Sequence, residues 1–521
     1  MTSDPIDWTE DVSTNPEQEY RALLKSLRRT RNFGLFFVQC SPVEGERLIR
    51  RIRQDLPQKR TEVLTLTATA TNLYDEVAAL PNKDQIEILF IQGLEQSLYD
   101  YEQERLWHEP EQRYSYDESG VPKLLAHLNL SRERFRDHFQ MCFVFLVPLF
   151  ALKYLMRRAP DFFDWRSGVL EFAMDAEQVE EEWQWLMLDS DYEEYLTWTP
   201  QQRNARILEI QTLLEEPQQT SERKSNLLFE QANLFSACQN YEAAIVAYDK
   251  ATEISPNSYE AWNNLGIVLY DLGQKEEAIA SYEKALEINP DRYLGWYNCG
   301  NALFNLGRNE EAIISYEKAL KINPNHYETW GNRGLALYDL GRNEEAIASY
   351  EKVTDIKPDE HQAWVNRGLA LFNLGHKEEA VISYEKALEI KPANYNAWWG
   401  RGVTLYDLGR KEEAVVSYEK AVAIKSDYHV ACFNCGVALY DLGRNEEAIA
   451  SYEKVITIQP NKHEAWYNKA CCYARWGKLQ ETLQNLQRSI ELNPKYQEMA
   501  KTDADFDGIR QDARFQALVG E

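Results

Sequence analysis

Basic residues are scarce in this chain. Only 57 Lys and Arg stand against 84 Asp and Glu in 521 residues, which leaves a formal net charge of −27. A surface of that sign repels polyphosphates and anionic headgroups, so nucleic acid is not expected as a partner, nor is an acidic membrane surface. Long apolar runs are also missing. The longest, Met141 to Leu152 (MCFVFLVPLFAL), contains Pro148 and is closed by Lys153, Arg157 and Arg158. It falls short of the roughly 18 apolar residues that cross a bilayer, so no membrane insertion is expected. The first residues, MTSDPIDWTEDVS, are acidic and carry no apolar run, so no secretory leader is expected. Eight cysteines are too few for a disulfide framework in so long a chain, and they fit a reducing, cytoplasmic setting. Glycine (23) and proline (18) are far too sparse for a collagen-like chain. Eight histidines are present, and none stands with a Ser or Cys nucleophile in a recognisable motif. No catalytic residue, metal or cofactor is therefore expected, and the chain is read as a non-enzyme.

What is present is a soluble composition, 44% apolar and 27% charged, enough to bury the cores of about three domains. The second half repeats itself every 34 residues. Trp262, Trp296, Trp330, Trp364, Trp398 and Trp466 hold that spacing, with Cys432 in the missing slot. Four residues later come Gly266, Gly300, Gly334, Gly368, Gly402 and Gly436, then Ala470. The tyrosines Tyr282, Tyr316, Tyr350, Tyr384, Tyr418 and Tyr452 keep step, and a proline closes most units. Each residue type has a mechanical reason. Gly300 and its equivalents let two helices approach, and Gly307 and its equivalents supply the positive φ that ends the first helix. Ala278, Tyr282 and Ala285 lie at i, i+4, i+7 on one face of the second helix. Proline stops that helix. Such a helical hairpin cannot bury its apolar faces alone and must stack on its neighbours.

The order W-x-x-L-G, then G, A, Y, A and P, resembles the tetratricopeptide repeat closely. In that frame eight units run over 225–496, with degenerate first and last units and a capping helix at 497–521 built on Phe506, Ile509, Phe515 and Leu518. The resemblance implies an all-α superhelical solenoid that binds protein or peptide.

The first half has no such rhythm. Phe33 to Cys40, Glu62 to Thr67, Ile86 to Ile91 and Cys142 to Val147 are short apolar runs suited to buried strands, with helical stretches between them. The expectation is an α/β domain with a parallel sheet over 1–170, and an acidic helical connector at 171–224. The order of elements resembles the P-loop ATPase modules of AAA/NACHT type found ahead of such repeats in bacterial proteins. The chemistry of that family is absent. Where a phosphate loop needs G-x-x-x-x-G-K-[ST], the chain has Gly45 in place but Glu46 for the lysine and Arg47 for the hydroxyl. Gln92 stands where a metal-organising Asp is expected. A degenerate P-loop-like sheet, a pseudo-ATPase, is the reading. A signalling NTPase with an atypical site and a repeat sensor is the alternative.

Three further clusters are weighed. The basic helix with Arg47, Arg50, Arg51, Arg53, Lys59 and Arg60 is expected to be solvated or docked on the chain's own acids, with Glu171 to Glu194 as the acids at hand. Cys432 and Cys435 form a CxxC but occupy packing positions, so buried thiols are expected. Asp503, Asp505, Asp507 and Gly508 copy half of an EF-hand loop, but Arg514 replaces its bidentate Glu, so no calcium site is expected.

One recurring surface carries the functional reading. Two residues after each Trp slot stands an asparagine: Asn264, Asn298, Asn332, Asn366, Asn434 and Asn468, broken only by Gly400. Seven residues on come Asp271, Asp339, Asp407 and Asp441, with Tyr270 and Tyr338 beside the first two. An amide can accept and donate, so it can hold a peptide unit without reading its side chain. An extended, basic partner segment, its backbone held by amides and its charges by aspartates, is the expected ligand.

Overall fold

The four apolar runs are strands. In the computed structural model, which describes residues 16–67, 70–98, 123–172, 174, 176–188, 192–216 and 219–520, they form β1 (Gly34–Gln39), β2 (Thr61–Thr65), β3 (Ile88–Gln92) and β4 (Cys142–Val147). A fifth, β5 (Gly168–Glu171), was not expected. It is four residues long with only Leu170 buried, too brief for an apolar run to betray it. All pairings are parallel, in the order β2-β3-β4-β1-β5.

The strands read as continuous apolar runs because both faces of the sheet are covered. Leu35 and Phe37 of β1 join Leu89, Phe143 and Phe145 in a core against α3 (Lys123–His138) and α4 (Leu149–Arg158). Phe36 and Val38 point to the other core, with Leu23 and Leu27 of α1 (Pro16–Arg29) and Leu48, Ile49 and Ile52 of α2 (Pro42–Asp55). The run Met141 to Leu152 is β4 followed by the start of α4, with Pro148 at the N-cap between them. No helix among the described residues is long and apolar enough to cross a membrane.

The connector is helical: α5 (Ala176–Leu188), α6 (Tyr192–Thr197) and α7 (Pro200–Glu215), the last opened by a Thr199–Gln202 capping box. Its acids divide: Glu177, Glu181, Glu193 and Glu194 are exposed, while Glu182, Glu209, Glu215 and Glu216 are half-buried. Burial pushes Glu182 and Glu216 up to about 7 and raises Glu209 and Glu215 above the ordinary 4.5. A raised carboxyl favours the fold fully below its unfolded pKa, and that contribution is lost as pH rises through the folded value. The acids held low, Glu17 and Glu87, act in the opposite sense only below about pH 5. The connector should therefore melt higher at pH 6 than at pH 8, by about 2–4 °C for each kcal/mol gained. Fluorescence of Trp183, Trp185 and Trp198 against temperature reads this out, and an equal or lower midpoint at pH 6 refutes it.

The chain divides at Gly273/Gln274 into two compact units. The first also holds the helices Ser221–Ala237, Tyr241–Ile254 and Tyr259–Asp271. In the second, first helices of 13 residues alternate with second helices of 14, from Lys275 to Leu492. The turn glycines behave as expected: Gly307, Gly341 and Gly409 have φ of 76°, 74° and 77°. The helix glycines make room for tyrosine. A Cβ on Gly334 would lie 2.5 Å from the Tyr350 ring, and one on Gly300 2.5 Å from Tyr316. These tyrosines fill the core, Tyr316 at 0% and Tyr350 at 1% exposure. The repeat tryptophans are only half-buried. Each donates its indole N–H to the carbonyl of a proline six residues earlier, as Trp330 to Pro324 at 2.9 Å and Trp364 to Pro358 at 3.1 Å.

The C-terminal cap is not one helix. It is Lys495–Thr502, a 3-10 segment Ala504–Ile509 and Ala513–Val519, with Phe506 and Phe515 buried against Tyr467 and Leu486.

Candidate functional site

Along 274–521, each first helix touches the first helix of the next repeat, while the second helices meet one another less. The first helices therefore form the inner side of this stack. Residues one, five and eight places after the Trp slot lie at i, i+4, i+7 and share one helix face. They are Tyr297, Asn301 and Phe304, then Gly331, Leu335 and Tyr338, then Val365, Leu369 and Phe372. Trp399, Val403 and Tyr406 follow, then Phe433, Val437 and Tyr440. Nearly all are half-buried, which leaves a strip of apolar and aromatic side chains in contact with solvent. The sequence reading missed this strip because its residue types vary from repeat to repeat. The i, i+4, i+7 spacing on the first helices was the signal available.

The asparagines stand beside it and are half-buried. They are not equivalent. Asn298 and Asn434 make no side-chain hydrogen bond, whereas Asn332 donates to Asn301 Oδ1 at 2.8 Å and Asn366 accepts from Gln362 at 2.9 Å. Asn468 donates to Tyr452 at 3.4 Å. In the first unit Asn264 donates to Asn233 at 3.4 Å. The gap at Gly400 has a steric cause, since a Cβ there would lie 2.6 Å from the Tyr384 ring.

The aspartates differ too. Asp407 pairs with Lys377 at 3.2 Å. Asp441 pairs with Lys411 at 2.8 Å and accepts from Tyr406 at 2.6 Å. Burial works to raise Asp441, but the lysine and the tyrosine hydroxyl outweigh it and hold the carboxyl low. Asp339 has Asn309 in the place of that lysine and makes no ion pair. Asp271, in the first unit beside the half-buried Tyr270, is raised by burial. Tyr338 accepts from Asn373 at 2.9 Å.

In the first unit a cavity of about 170 Å³ opens at the C-terminal ends of β1, β3 and β4. Gly45 and Glu46 of α2, Gln92 and Glu95 line it. Gln92 donates to Glu46 at 3.4 Å and to Thr65 at 3.0 Å. Among the described residues, two carboxylates line the cavity and no Lys or Arg does.

The basic cluster docks on nearby acids, and Arg47 also lies within electrostatic reach of Glu182 in the acidic connector. Arg51 pairs with Glu17 at 2.6 Å, Lys59 with Glu87 at 2.8 Å and Arg47 with Glu44 at 3.6 Å. From the acidic connector, Glu180 pairs with Arg223. Cys432 and Cys435 are buried free thiols. The half EF-hand loop is used internally: Asp503 accepts from Tyr467 at 2.6 Å, Asp505 from Tyr440, and Asp507 pairs with Arg510.

Models described as tetratricopeptide repeat match residues 259–292, 293–326 and 463–496, 332–395 and 365–429, and 315–348. One described as TPR repeat matches 232–273 and 436–475. No curated protein matches the chain. Similar solved structures include MamA, 27% identical over 33% of this chain and 93% of that one, with a TM-score of 0.32. YrrB, described as a TPR protein with an unusual peptide-binding site, is 25% identical over 36% and 95%, with a TM-score of 0.33. The C-terminal part of a TPR repeat-containing protein from Cytophaga hutchinsonii is 21% identical over 46% and 98%, with a TM-score of 0.41. With its 34-residue rhythm, its alternating helices and the repeat models that match it, the chain carries an array of tetratricopeptide repeats.

Proposed function

We propose that the repeats of 274–521 hold an extended segment of a partner protein along the inner face of their first helices. The observation that carries this reading is the half-buried apolar strip, which recurs in consecutive repeats beside amides that can bond a peptide backbone. Apolar side chains of the partner settle on Leu335, Leu369, Phe372 and Val403, where each buried CH₂ contributes about 0.8 kcal/mol. Asn298 and Asn434 offer free amides to its backbone. Asp407 and Asp441 are already neutralised by lysines, so a basic residue of the partner is best placed opposite Asp339.

The test uses the full chain as bait, followed by titration of the captured partner. Changing Asn298 and Asn434 together to Ala should cost about 1–3 kcal/mol, roughly a five- to hundredfold loss in affinity. Hydrogen exchange should slow on the first helices when the partner binds. Unchanged affinity, or protection confined to the second helices, sinks the reading.

We infer that the sheet domain is a docking or regulatory module without ATPase chemistry. Its residues do not fit a triphosphate, because Glu46 and Glu95 face the place where phosphate charge would lie. No hydrolysis and no tight Mg-ATP binding are expected. Micromolar nucleotide binding by calorimetry, lost on mutation around Gly45, supports a signalling NTPase instead.

A further inference from the structure

We propose that the cavity at the C-terminal ends of β1, β3 and β4 binds a small organic cation, an alkylamine or alkylguanidine, between Glu46 and Glu95. This stands apart from the groove on the repeats and does not depend on it.

Size sets the first limit. A cavity of about 170 Å³ is close to the ~150 Å³ that admits a six-carbon ring. Sites for drug-sized ligands start near 300 Å³. A short chain with one charged head fits, and a nucleoside triphosphate does not.

Charge sets the second. Among the described residues, the only ionisable carboxyls or amines on the wall are Glu46 and Glu95. The N-terminus of α2 also points here, and its macrodipole favours anions. That end amounts to about half a positive charge, against up to two full negative ones. Ser41 Oγ and the carboxylate of Glu44 in the first turn already answer it.

The third observation is a missing partner. Glu95 Oε2 is buried with no hydrogen bond, and Glu46 accepts only a long bond from Gln92 at 3.4 Å. A buried carboxylate oxygen left unbonded is costly, and an ammonium or guanidinium N–H is the donor that relieves it best. Burial pushes the Glu95 carboxyl up to about 7, against the backbone N–H groups of Glu95 and Gly93, which work to lower it. The opposite wall, Pro42, Leu146 and Pro148, is apolar and suits an alkyl chain.

The experiment is calorimetric titration of the full chain at about pH 8, above the value of about 7 to which burial pushes Glu95. The probes are agmatine and n-butylamine, with inorganic phosphate and ATP as anionic controls. Saturable binding of agmatine or n-butylamine at one site is expected, weakened about tenfold or more by Glu95→Gln or Glu46→Gln. Leu146→Phe, which fills the cavity without touching its charge, should abolish it. Melting curves verify that each variant is folded. No saturable heat at millimolar concentrations of either amine overturns the proposal. So does equal binding by Glu95→Gln and Leu146→Phe, or binding of phosphate or ATP in preference to the amines.

Discussion

Tyr350→Ala should destabilise the repeat stack by roughly 3–5 kcal/mol, the range for removing a large aromatic from a close-packed core. The ring is 1% exposed and lies on the second helix Asn343–Ile356. Gly334 on the first helix has no side chain because that ring occupies the space. Deleting the ring leaves two facing backbones that cannot close the gap without moving both helices. Repeat stability is approximately a sum of unit and neighbour terms, so the loss should be local. Amides of the helices Tyr327–Asp339 and Asn343–Ile356 should exchange fastest, and denaturant unfolding should broaden or split. Trp330→Ala is the control. Its indole is half-buried, donates to Pro324 and has Arg333 over the ring at 5.8 Å, so roughly 1–3 kcal/mol is expected. A single transition with an unchanged midpoint for Tyr350→Ala, or a larger loss at Trp330, refutes this ranking.

That ranking shows where sequence reading stops. The tryptophans are the most visible residues of the repeat, and their regular spacing suggests core. Spacing reports that a position is used in every unit and does not say how deeply it is buried. The tyrosines share the period and are the larger part of the core, while the tryptophans close the loop from the preceding unit. The same limit applies to the inner face. Asn298, Asn332 and Asn366 stand out because one residue type recurs. The apolar strip beside them is spelled differently each time, as in Leu335, Leu369 and Val403, and only helical geometry assembles it. The aspartates illustrate a third case. Asp407 and Asp441 look alike to Asp339 along the chain, yet lysines 30 residues earlier neutralise the first two. Those lysines are on the page of the sequence, but pairing across repeats depends on how neighbours stack.

In the first unit, packing on both faces makes β1, β3 and β4 legible, since each is an apolar run broken only at its end by Gln39 in β1 and Gln92 in β3. β5 escapes because Val169 is 44% exposed and only Leu170 is buried. The substitutions Glu46 and Gln92 could be read from their positions after β1 and at the end of β3. That they face one cavity with Glu95 could not, because residue 95 follows a turn whose direction is set by a single glycine.

That glycine gives the second large effect. Gly93→Ala should cost about 3 kcal/mol or more, from two sources that a paired variant separates. Its φ is +82°, where an alanine pays roughly 1–2 kcal/mol of backbone strain. A Cβ there would also lie 2.4 Å from the carbonyl oxygen of Leu66 and 3.2 Å from its nitrogen. Leu66 cannot retreat freely, because its N–H is bonded to Gln92 O at 2.8 Å. Gly341 has nearly the same backbone, φ +74°, with nothing within 4 Å of an added Cβ. Gly341→Ala should therefore show the strain alone, about 1–2 kcal/mol, as a local loss in its own repeat. Gly93→Ala adds the overlap, and the chain can relieve it only by lifting the turn off the end of β2. Faster amide exchange at Leu66 and along β3 should mark that movement, and the probe-binding cavity should lose Glu95 from its wall. Equal losses from the two alanines, each referred to the stability of its own unit, would show that the overlap is absorbed and that the turn does not hold Glu95 in place.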